Sequence, residues 1–352
     1  MEGPRHPAVP RPQASVVRPA ASSRSGARGS AIGLGRAWRR LRRTLLVGVG
    51  RSRPVDWLTL GYLILSGALL SWLDPSHWRD LATHLVFAAF ALYAIAQSSL
   101  KPGSRGWLIV RTAYPVFLMT HGFLIAARLQ SALNESHWLT RPLVLLDRAW
   151  FGVHPTLFFE QVQTRWLTEL LAFFYLAYYA LPLLVLVPLW AARHRRQAIE
   201  VAGMAMLTYV VTYSMYWGLP AVNPKMSVEL GALHEGLQPG YLFSAWERAI
   251  QGDHGAVVGN SFPSAHVSGA VSWSLLAWRY VPHLAWLAAT LTVGTSVSTV
   301  YLGVHHGLDP IAGAIVAAGC HAIGSRWIGH TSFFSRAPCY GRTISYPLRQ
   351  RR

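Results

Sequence analysis

The sequence predicts an all-α, polytopic membrane helical bundle of about eight transmembrane helices. Of its 352 residues, 52% are hydrophobic and only 13% are charged, and the mean hydropathy is +0.27. Soluble domains carry about 25% charged residues. The apolar residues also fall into separate runs, each close to the ~20 residues that cross a bilayer as a helix. Composition and run length therefore agree on a membrane-spanning bundle.

The chain divides into a basic tail over 1–53, a membrane domain over 54–335 and a second basic tail over 336–352. Residues 1–35 are rich in Pro, Arg, Ser, Ala and Gly without helical periodicity, so we expect disorder there. Residues 36–53 are expected to form a short basic interfacial helix. The first apolar run comes too late and is too long for a cleaved signal peptide. Eight candidate spans follow, at Val55–Leu73, Leu81–Ser98, Gly106–Leu129, Arg165–Ala192, Ala198–Leu219, Phe262–Trp278, Leu284–Leu302 and Leu308–Ile328.

Positive charge is concentrated in the two tails. Residues 1–53 carry a net +11 and residues 336–352 carry +5, which leaves +2 of the total +18 for the rest of the chain. Lys and Arg accumulate on the cytoplasmic side of membrane proteins. Because eight spans return the chain to the side from which it started, we expect both tails to be cytoplasmic. Nucleic-acid binding is not expected, because no basic domain with interleaved aromatic residues accompanies this charge.

Two long loops then face the extracytoplasmic side, at about 130–164 and 220–261. The first contains a stretch over 137–160 that mixes Trp, Leu, Phe and Pro with few charges, which favours a helix lying in the membrane interface. The second is rich in Pro and Gly, which predicts a non-helical cover with a short helix at Ser244–Ile250.

Several other residues leave alternatives open. Arg111, His121 and Glu169 fall within predicted spans, where titratable groups usually face the bundle interior or a polar path. For Arg111 and Glu169, a position near the interface with the side chain extended to water is equally compatible with the sequence. The two cysteines, Cys320 and Cys339, predict neither a disulfide nor a metal site.

The first of two motifs is Ser261-Phe262-Pro263-Ser264-Ala265-His266, at the start of the sixth span. Free backbone N–H groups at a helix N-terminus bind anions, and the Ser264 hydroxyl adds a donor. A phosphate held on the turn at Ser264 and Ala265 would lie beside His266, which suits that histidine to general-acid catalysis. The alternative is a serine-capped helix with an incidental histidine.

The second motif is Tyr301-Leu302-Gly303-Val304-His305-His306-Gly307-Leu308-Asp309. Asp309 falls in the first turn of the eighth span, where a carboxylate suits the helix dipole. A carboxylate that accepts one ring N–H of His305 leaves the other ring nitrogen unprotonated and nucleophilic. His306, three residues before Asp309, is the rival nucleophile. An interface histidine followed by an aspartate cap is the alternative without chemistry.

Together the two motifs resemble the type 2 phosphatidic acid phosphatase superfamily, which also includes the vanadium haloperoxidases. Its second motif is typically Pro-Ser-Gly-His, and its third is Ser-Arg-x5-His-x3-Asp. Pro263-Ser264-Ala265-His266 and Ser298-Thr299-x5-His305-x3-Asp309 align with these without a gap. The resemblance implies a six-helix catalytic core, with His305 as the nucleophile that forms a phosphohistidine. It also implies His266 as the general acid and Asp309 as the orienting carboxylate.

Two departures from that pattern concern phosphate binding. Thr299 stands where the superfamily has a phosphate-binding arginine, and the first motif, Lys-x6-Arg-Pro, is absent. Lys225 is the lysine near its expected place, and we keep it as a candidate phosphate ligand. A site with fewer cations stabilises a phosphate dianion poorly, whereas a phosphodiester carries less charge, so the departures favour a diester substrate.

Enzymes of the inositol phosphorylceramide synthase and sphingomyelin synthase type also keep the two histidines and the aspartate while losing those arginines. Three further stretches resemble the inositol phosphorylceramide synthase branch, at Leu146–Pro155, Phe174–Tyr179 and Tyr216–Ala221. Within the first of them, Arg148 is a candidate for the missing phosphate contact.

The sequence thus predicts an integral enzyme of the cell or cytoplasmic membrane, with its active site on the extracytoplasmic side. We expect a lipid phosphatase or phosphotransferase that acts on a phospholipid or a polyprenyl-phosphate-type lipid, with water or an alcohol as acceptor. The resemblance favours transfer of an inositol phosphate-type head group. A simple lipid phosphate phosphatase and a non-catalytic lipid-binding or transport protein are the alternatives. No metal or cofactor is expected, because a histidine supplies the covalent step and a helix N-terminus holds the charge.

Overall fold

The computed structural model describes residues 24–134, 136, 138–227, 238–251 and 259–330. Throughout these residues the protein is an all-α bundle without a β-strand, as the composition predicts. The helices in chain order are α1 (Arg24–Arg51), α2 (Pro54–Leu73), α3 (Trp78–Leu100), α4 (Arg105–Leu133), α5 (Thr140–Phe151), α6 (Pro155–Gln161), α7 (Arg165–Ala177), α8 (Leu181–Ala191), α9 (Arg195–Met215), α10 (Leu242–Gln251), α11 (Ala265–Tyr280), α12 (Ala285–Tyr301) and α13 (Leu308–His330).

Seven helical units of the described chain are long and apolar enough to cross a bilayer, which makes this an integral membrane protein. They are formed by α2, by α3 with the turn before it, by α4, by α7 together with α8, by α9, by α12 with the turn before it, and by α13. The sixth predicted span, Phe262–Trp278, is not among them. It corresponds to α11, which has 16 residues.

Helix α11 is short because it begins only at Ala265, after the Ser264 cap, and ends at Tyr280, before Pro282. At 1.5 Å per residue it is about 24 Å long, less than the ~30 Å hydrocarbon core. It packs against α9, α12 and α13, and Trp273 at its centre is fully buried. The neighbouring helices therefore enclose a short helix that presents its first turn to the site.

The fourth predicted span, Arg165–Ala192, is divided by a 3-10 turn at Tyr178–Ala180 between α7 and α8. Pro182 is the second residue after this turn, and it lacks the N–H that would bond to the Tyr178 carbonyl in a continuous α-helix. Because of this break, Tyr178 and Tyr179 reach the candidate site described below.

Helix α1 already begins at Arg24, which corrects the expectation of disorder over 24–35. The basic helix predicted over 36–53 is the C-terminal part of this longer helix, which packs against α3. A glycine at position 48 allows that packing, because a Cβ there would overlap the Leu92 carbonyl. Residues 1–23 and the predicted basic tail over 336–352, with Cys339, lie outside the described residues. Cys320 is a buried free thiol.

Two short helices, α5 and α6, occupy the predicted interfacial stretch, and α10 includes the predicted short helix Ser244–Ile250. The Glu169 carboxylate on α7 caps α10 by accepting the backbone N–H groups of Tyr241 and Phe243, both at 2.6 Å, and of Ser244 at 3.1 Å. Glu169 therefore joins α7 to the start of α10. The rest of the predicted cover, over 228–237 and 252–258, lies outside the described residues.

Arg111 lies in the interior, so the interpretation that it extends to water is wrong. It is only 4% exposed, and its two terminal nitrogens donate to the two carboxylate oxygens of Asp56, each at 2.6 Å. The Tyr114 hydroxyl donates to the same carboxylate at 2.8 Å. This buried pair joins α2 to α4. His121 packs against His84, with ring centroids 4.7 Å apart.

Candidate active site

The turn between α12 and α13 carries the second motif. The Thr299 carbonyl accepts the N–H groups of both Val304 (3.0 Å) and His305 (3.1 Å). Gly303 has φ +67°, a left-handed conformation that glycine adopts without strain. The Thr299 hydroxyl donates to the Ser296 carbonyl at 2.9 Å. Thr299 thus shapes the turn that holds His305.

His305 is held by two acceptors on one side of its ring. Its Nδ1 lies 2.8 Å from the Ser261 carbonyl and 3.2 Å from Asp309 Oδ2. Because both partners accept, we assign the ring proton to Nδ1, which leaves a lone pair on Nε2. Burial lowers the pKa of His305 to about 4, so the ring is uncharged at neutral pH. An oriented, neutral imidazole of this kind is suited to nucleophilic attack.

Asp309 is fully buried in the first turn of α13. Besides facing His305, its Oδ2 accepts from the Ser261 hydroxyl at 2.6 Å and from the His306 backbone N–H at 2.9 Å. Ser261 therefore contacts both His305 and Asp309, a role that the sequence motif alone does not indicate. Its position in the same motif as Ser264 and His266 is the feature of the sequence that points to a role in the site.

His266 follows the N-terminus of α11. The Ser264 hydroxyl accepts the Val267 N–H at 3.2 Å, as expected of an N-cap, and the Ser264 N–H donates to the Asp309 carbonyl at 3.1 Å. This main-chain bond joins the first turns of α11 and α13. The His266 ring then lies 5.7 Å from the His305 ring, centroid to centroid. The structure thus brings His266, His305 and Asp309 together.

The predicted phosphate-binding turn is partly occupied by a tyrosine. The Tyr216 hydroxyl donates to the Pro263 carbonyl at 3.0 Å and interacts with the Ala265 backbone. Ser264 is itself fully buried. A phosphate that rests on this turn therefore lies beside Tyr216 as well as Ser264 and Ala265.

Tyrosines surround His266. The ring centroids of Tyr175, Tyr178 and Tyr179 lie 4.8, 5.0 and 6.5 Å from that of His266. A cavity of about 160 Å³ opens beside them. It is lined by Val116, Met119, Thr120, Phe123, Tyr178, Tyr179, Pro182, Tyr209, Tyr213, Ala265 and His266. The described lining contains neither Lys nor Arg, so the cavity suits an uncharged group with hydroxyls.

A larger apolar groove of about 570 Å³ lies on another side of the catalytic turn. It is lined by Phe151, Val153, Pro155, Phe158, Phe159, Ser296, Val297, Val300, Gly307, Pro310 and Ile311. Gly307 and Pro310 flank the Asp309 turn, so the groove runs directly beside the polar site. Its lining is suited to hydrocarbon.

His306 is placed differently from His305. Its Nε2 lies 2.9 Å from the Val222 carbonyl, and its Nδ1 lies 3.2 Å from His154 Nε2. The side chain is fully buried. Because both ring nitrogens are engaged, His306 is a poorer nucleophile than His305.

Asp147 on α5 is a buried residue that the sequence does not single out, in contrast to its neighbour Arg148. Its carboxylate accepts the backbone N–H groups of Gly307 (2.6 Å) and Leu308 (3.0 Å), and thus caps α13. Burial raises the pKa of Asp147 to about 6. Helical spacing could have predicted that Asp147 is buried, because it falls on the same helix face as the buried Leu143 and Val144.

The two predicted cationic ligands are placed differently. Lys225 lies near the catalytic turn, where its backbone N–H donates to the Gly303 carbonyl at 3.0 Å. Its ammonium group pairs with Glu247 of α10 at 3.4 Å. Arg148 is exposed, and no described hydrogen bond or ion pair connects it to the two histidines.

Comparison with known proteins adds one match. A family model described as the PAP2 superfamily matches residues 141–323, slightly more than half of the chain. The match begins in α5 and ends in α13, so it includes Asp147, His266, His305 and Asp309. No curated protein and no solved structure matches the chain.

Proposed function

The chain belongs to the PAP2 superfamily, whose members are typically phosphatases, and from that premise we propose that it transfers a phosphoryl-bearing group of a membrane lipid through His305. The donor is a phospholipid or a polyprenyl-phosphate-type lipid, and the acceptor is an alcohol. The transferred unit is of the inositol phosphate type. The active site faces the extracytoplasmic side, and both tails are cytoplasmic.

The observation that carries this proposal is the arrangement around His305. The Ser261 carbonyl and Asp309 hold one ring nitrogen, which leaves Nε2 with its lone pair, and His266 lies on the neighbouring helix. A nucleophile, an orienting carboxylate and a second imidazole for proton transfer are the groups that a two-step phosphotransfer requires.

In the first step, His305 Nε2 attacks phosphorus and the bond from phosphorus to the leaving oxygen breaks. His266 must enter this step as the imidazolium; it donates its proton to that oxygen, so the first product leaves as an alcohol and His266 becomes neutral. In the second step, neutral His266 takes the proton from the acceptor hydroxyl, whose oxygen attacks phosphorus. The phosphorus–Nε2 bond breaks, and His305 is restored.

Two features support transfer from a lipid to an alcohol. The cavity beside His266 has tyrosine hydroxyls and no Lys or Arg in its described lining, which favours a neutral acceptor. The apolar groove beside Gly307 and Pro310 has the size and the lining for a hydrocarbon chain of the donor. The shortage of cations also favours a phosphodiester over a phosphate monoester.

Labelling of the purified, reconstituted protein tests the proposal. Vesicles would contain phosphatidylinositol or phosphatidic acid labelled at phosphorus, and alkaline quenching would preserve a phosphohistidine bond. We expect label on the wild-type protein and none on His305→Ala. The matched control is His321→Gln, which removes another partly buried histidine, one bonded to Ser272, and should retain label.

Mass spectrometry of the lipids separates the alternatives. A new phosphodiester lipid supports head-group transfer, whereas free phosphate or free inositol phosphate identifies a hydrolase. Label that persists on folded His305→Ala would refute the assigned nucleophile. A wild-type protein that takes up no label and changes no lipid would refute the enzyme and favour a lipid-binding protein on the same scaffold.

A further inference from the structure

A second polar cluster lies behind the catalytic turn and takes no part in the proposed reaction. It consists of Asp147 on α5, His154 just before α6, and His306 just before α13. All three side chains are fully buried. His154 Nε2 lies 3.2 Å from His306 Nδ1 and 3.4 Å from Asp147 Oδ2. One ligand atom from each residue falls within 4.8 Å of the other two.

The tautomer of His306 directs a lone pair into this cluster. Its Nε2 faces the Val222 carbonyl at 2.9 Å, which can only accept, so Nε2 carries the ring proton. Nδ1 is then unprotonated and points at His154. Metal-bound histidines are typically fixed in this way, with the remote ring N–H donated to a carbonyl or carboxylate.

Two of the three distances between ligand atoms agree with the edges of a tetrahedral zinc site. Bonds of about 2.0–2.2 Å from Zn²⁺ to nitrogen or oxygen separate two tetrahedral ligands by about 3.3 Å. The separations of 3.2 and 3.4 Å from His154 Nε2 match that edge, and all three ligand atoms lie within 4.8 Å of one another. The 3.4 Å separation exceeds the range of about 2.7–3.2 Å for a hydrogen bond from a nitrogen donor, whereas 3.2 Å lies at its upper end. The alternative is a shared hydrogen bond from His154 to its two neighbours.

Electrostatics also favours a cation here. Asp147 and Asp309 are two buried carboxylates that bind the same turn, because Asp147 accepts the backbone N–H groups of Gly307 and Leu308 and Asp309 accepts that of His306. Within the described residues, their recorded ion pairs are with histidines alone. A pair of buried carboxylates without Lys or Arg is costly, and a divalent cation would offset that cost.

We propose that Asp147, His154 and His306 bind one divalent transition-metal ion, with zinc as the best fit to two imidazoles and one carboxylate. The site is structural. It joins α5 and the turn before α6 to the first turn of α13, and so stabilises the segment that presents His305. No step of the proposed phosphotransfer passes through the metal, and the site stands independently of that function.

Metal analysis of the full chain, purified in detergent without a metal-affinity tag, tests this site. After dialysis we expect about one Zn²⁺ per chain, and a Co²⁺-loaded sample should show the visible absorption of protein-bound cobalt. His306→Phe and His154→Phe should lose both signals. His321→Gln, the matched control, should keep them.

Two further results keep the proposal open to refutation. If the metal sat at the catalytic histidines instead, His305→Ala would lose it and His306→Phe would retain it, which would overturn the assignment. If the His306 variant fails to fold, the proposal is tested instead with wild-type protein from which a chelator has removed the metal. Added Zn²⁺ should raise its Tm by a few degrees. Wild-type protein that retains no metal and shows no rise in Tm contains a hydrogen-bonded cluster only.

Discussion

At the scale of single residues, Ser261 and Asp309 share the task of orienting His305, but by different atoms. Ser261 contacts His305 through its main-chain carbonyl, which remains when the side chain is replaced. Asp309 contacts it through its side-chain carboxylate. The two contributions can therefore be separated by mutation.

We expect Asp309→Asn to lower kcat by about 10²-fold or more, because an amide cannot stabilise the charge that develops on the imidazole. Ser261→Ala should cost only about 10-fold, since the carbonyl still holds Nδ1 while only the 2.6 Å bond to Asp309 is lost. Steady-state transfer rates at saturating lipid would measure both. Equal losses in the two variants would contradict this division of roles.

Much of the site at this scale could be predicted from the sequence, because the residues that carry the chemistry lie in two contiguous motifs. His266, His305 and Asp309 do meet. Asp147 and the tyrosines around His266 could not be placed in the same way. They come from α5, α7 and the 3-10 turn, and only tertiary packing brings them to the motif.

At the scale of elements, the approach of α11 to α13 sets the distance between the two histidines. Gly313 faces the first turn of α11, where a Cβ would lie 2.5 Å from the Ser264 carbonyl oxygen and 3.1 Å from the Ser268 nitrogen. Both neighbours are main-chain atoms, which cannot move aside as a flexible side chain does.

We therefore expect Gly313→Ala to separate the two helices, with a loss of about 1–3 kcal/mol in stability and a larger loss of transfer activity than of lipid binding. Gly319→Ala on the same helix is the control, because no atom lies within 4 Å of its added Cβ. Thermal unfolding and activity assays would compare the two variants. Similar behaviour of both would show that the close approach does not matter.

Helix positions were predicted well where apolar runs are long, and poorly where a few local residues determine the ends. The serine cap and Pro282 shorten α11, and Pro182 divides the fourth span. The pattern of apolar residues alone does not reveal where such helices end or divide.

At the scale of the whole molecule, the buried pair of Asp56 and Arg111 ties α2 to α4. Asp56→Asn leaves a buried guanidinium without its counter-charge, which costs about 3–5 kcal/mol. Removal of the half-exposed pair between Arg128 and Asp80, by Arg128→Ala, should cost less than about 1 kcal/mol. Chemical unfolding in detergent micelles would give both values. A small loss in Asp56→Asn would mean that water reaches the pair.

The topology can be tested by labelling single cysteines in a protein that carries Cys320→Ser and Cys339→Ser. A membrane-impermeant maleimide should label Trp246→Cys on α10 in intact cells, but Lys101→Cys between α3 and α4 only after permeabilisation. His283→Cys, between α11 and α12, should behave like Lys101→Cys if the short α11 crosses the membrane. Labelling of His283→Cys from outside would show that it does not, and that the two tails lie on opposite sides.

The hydrogen bond from the Ser264 N–H to the Asp309 carbonyl has a practical consequence for enzyme engineering. Only peptide groups form this bond. Substitutions of side chains in the tyrosine-lined cavity should therefore not change the distance between the two histidines. Libraries that vary Thr120 or Met119 should then explore new acceptors without moving the two histidines apart.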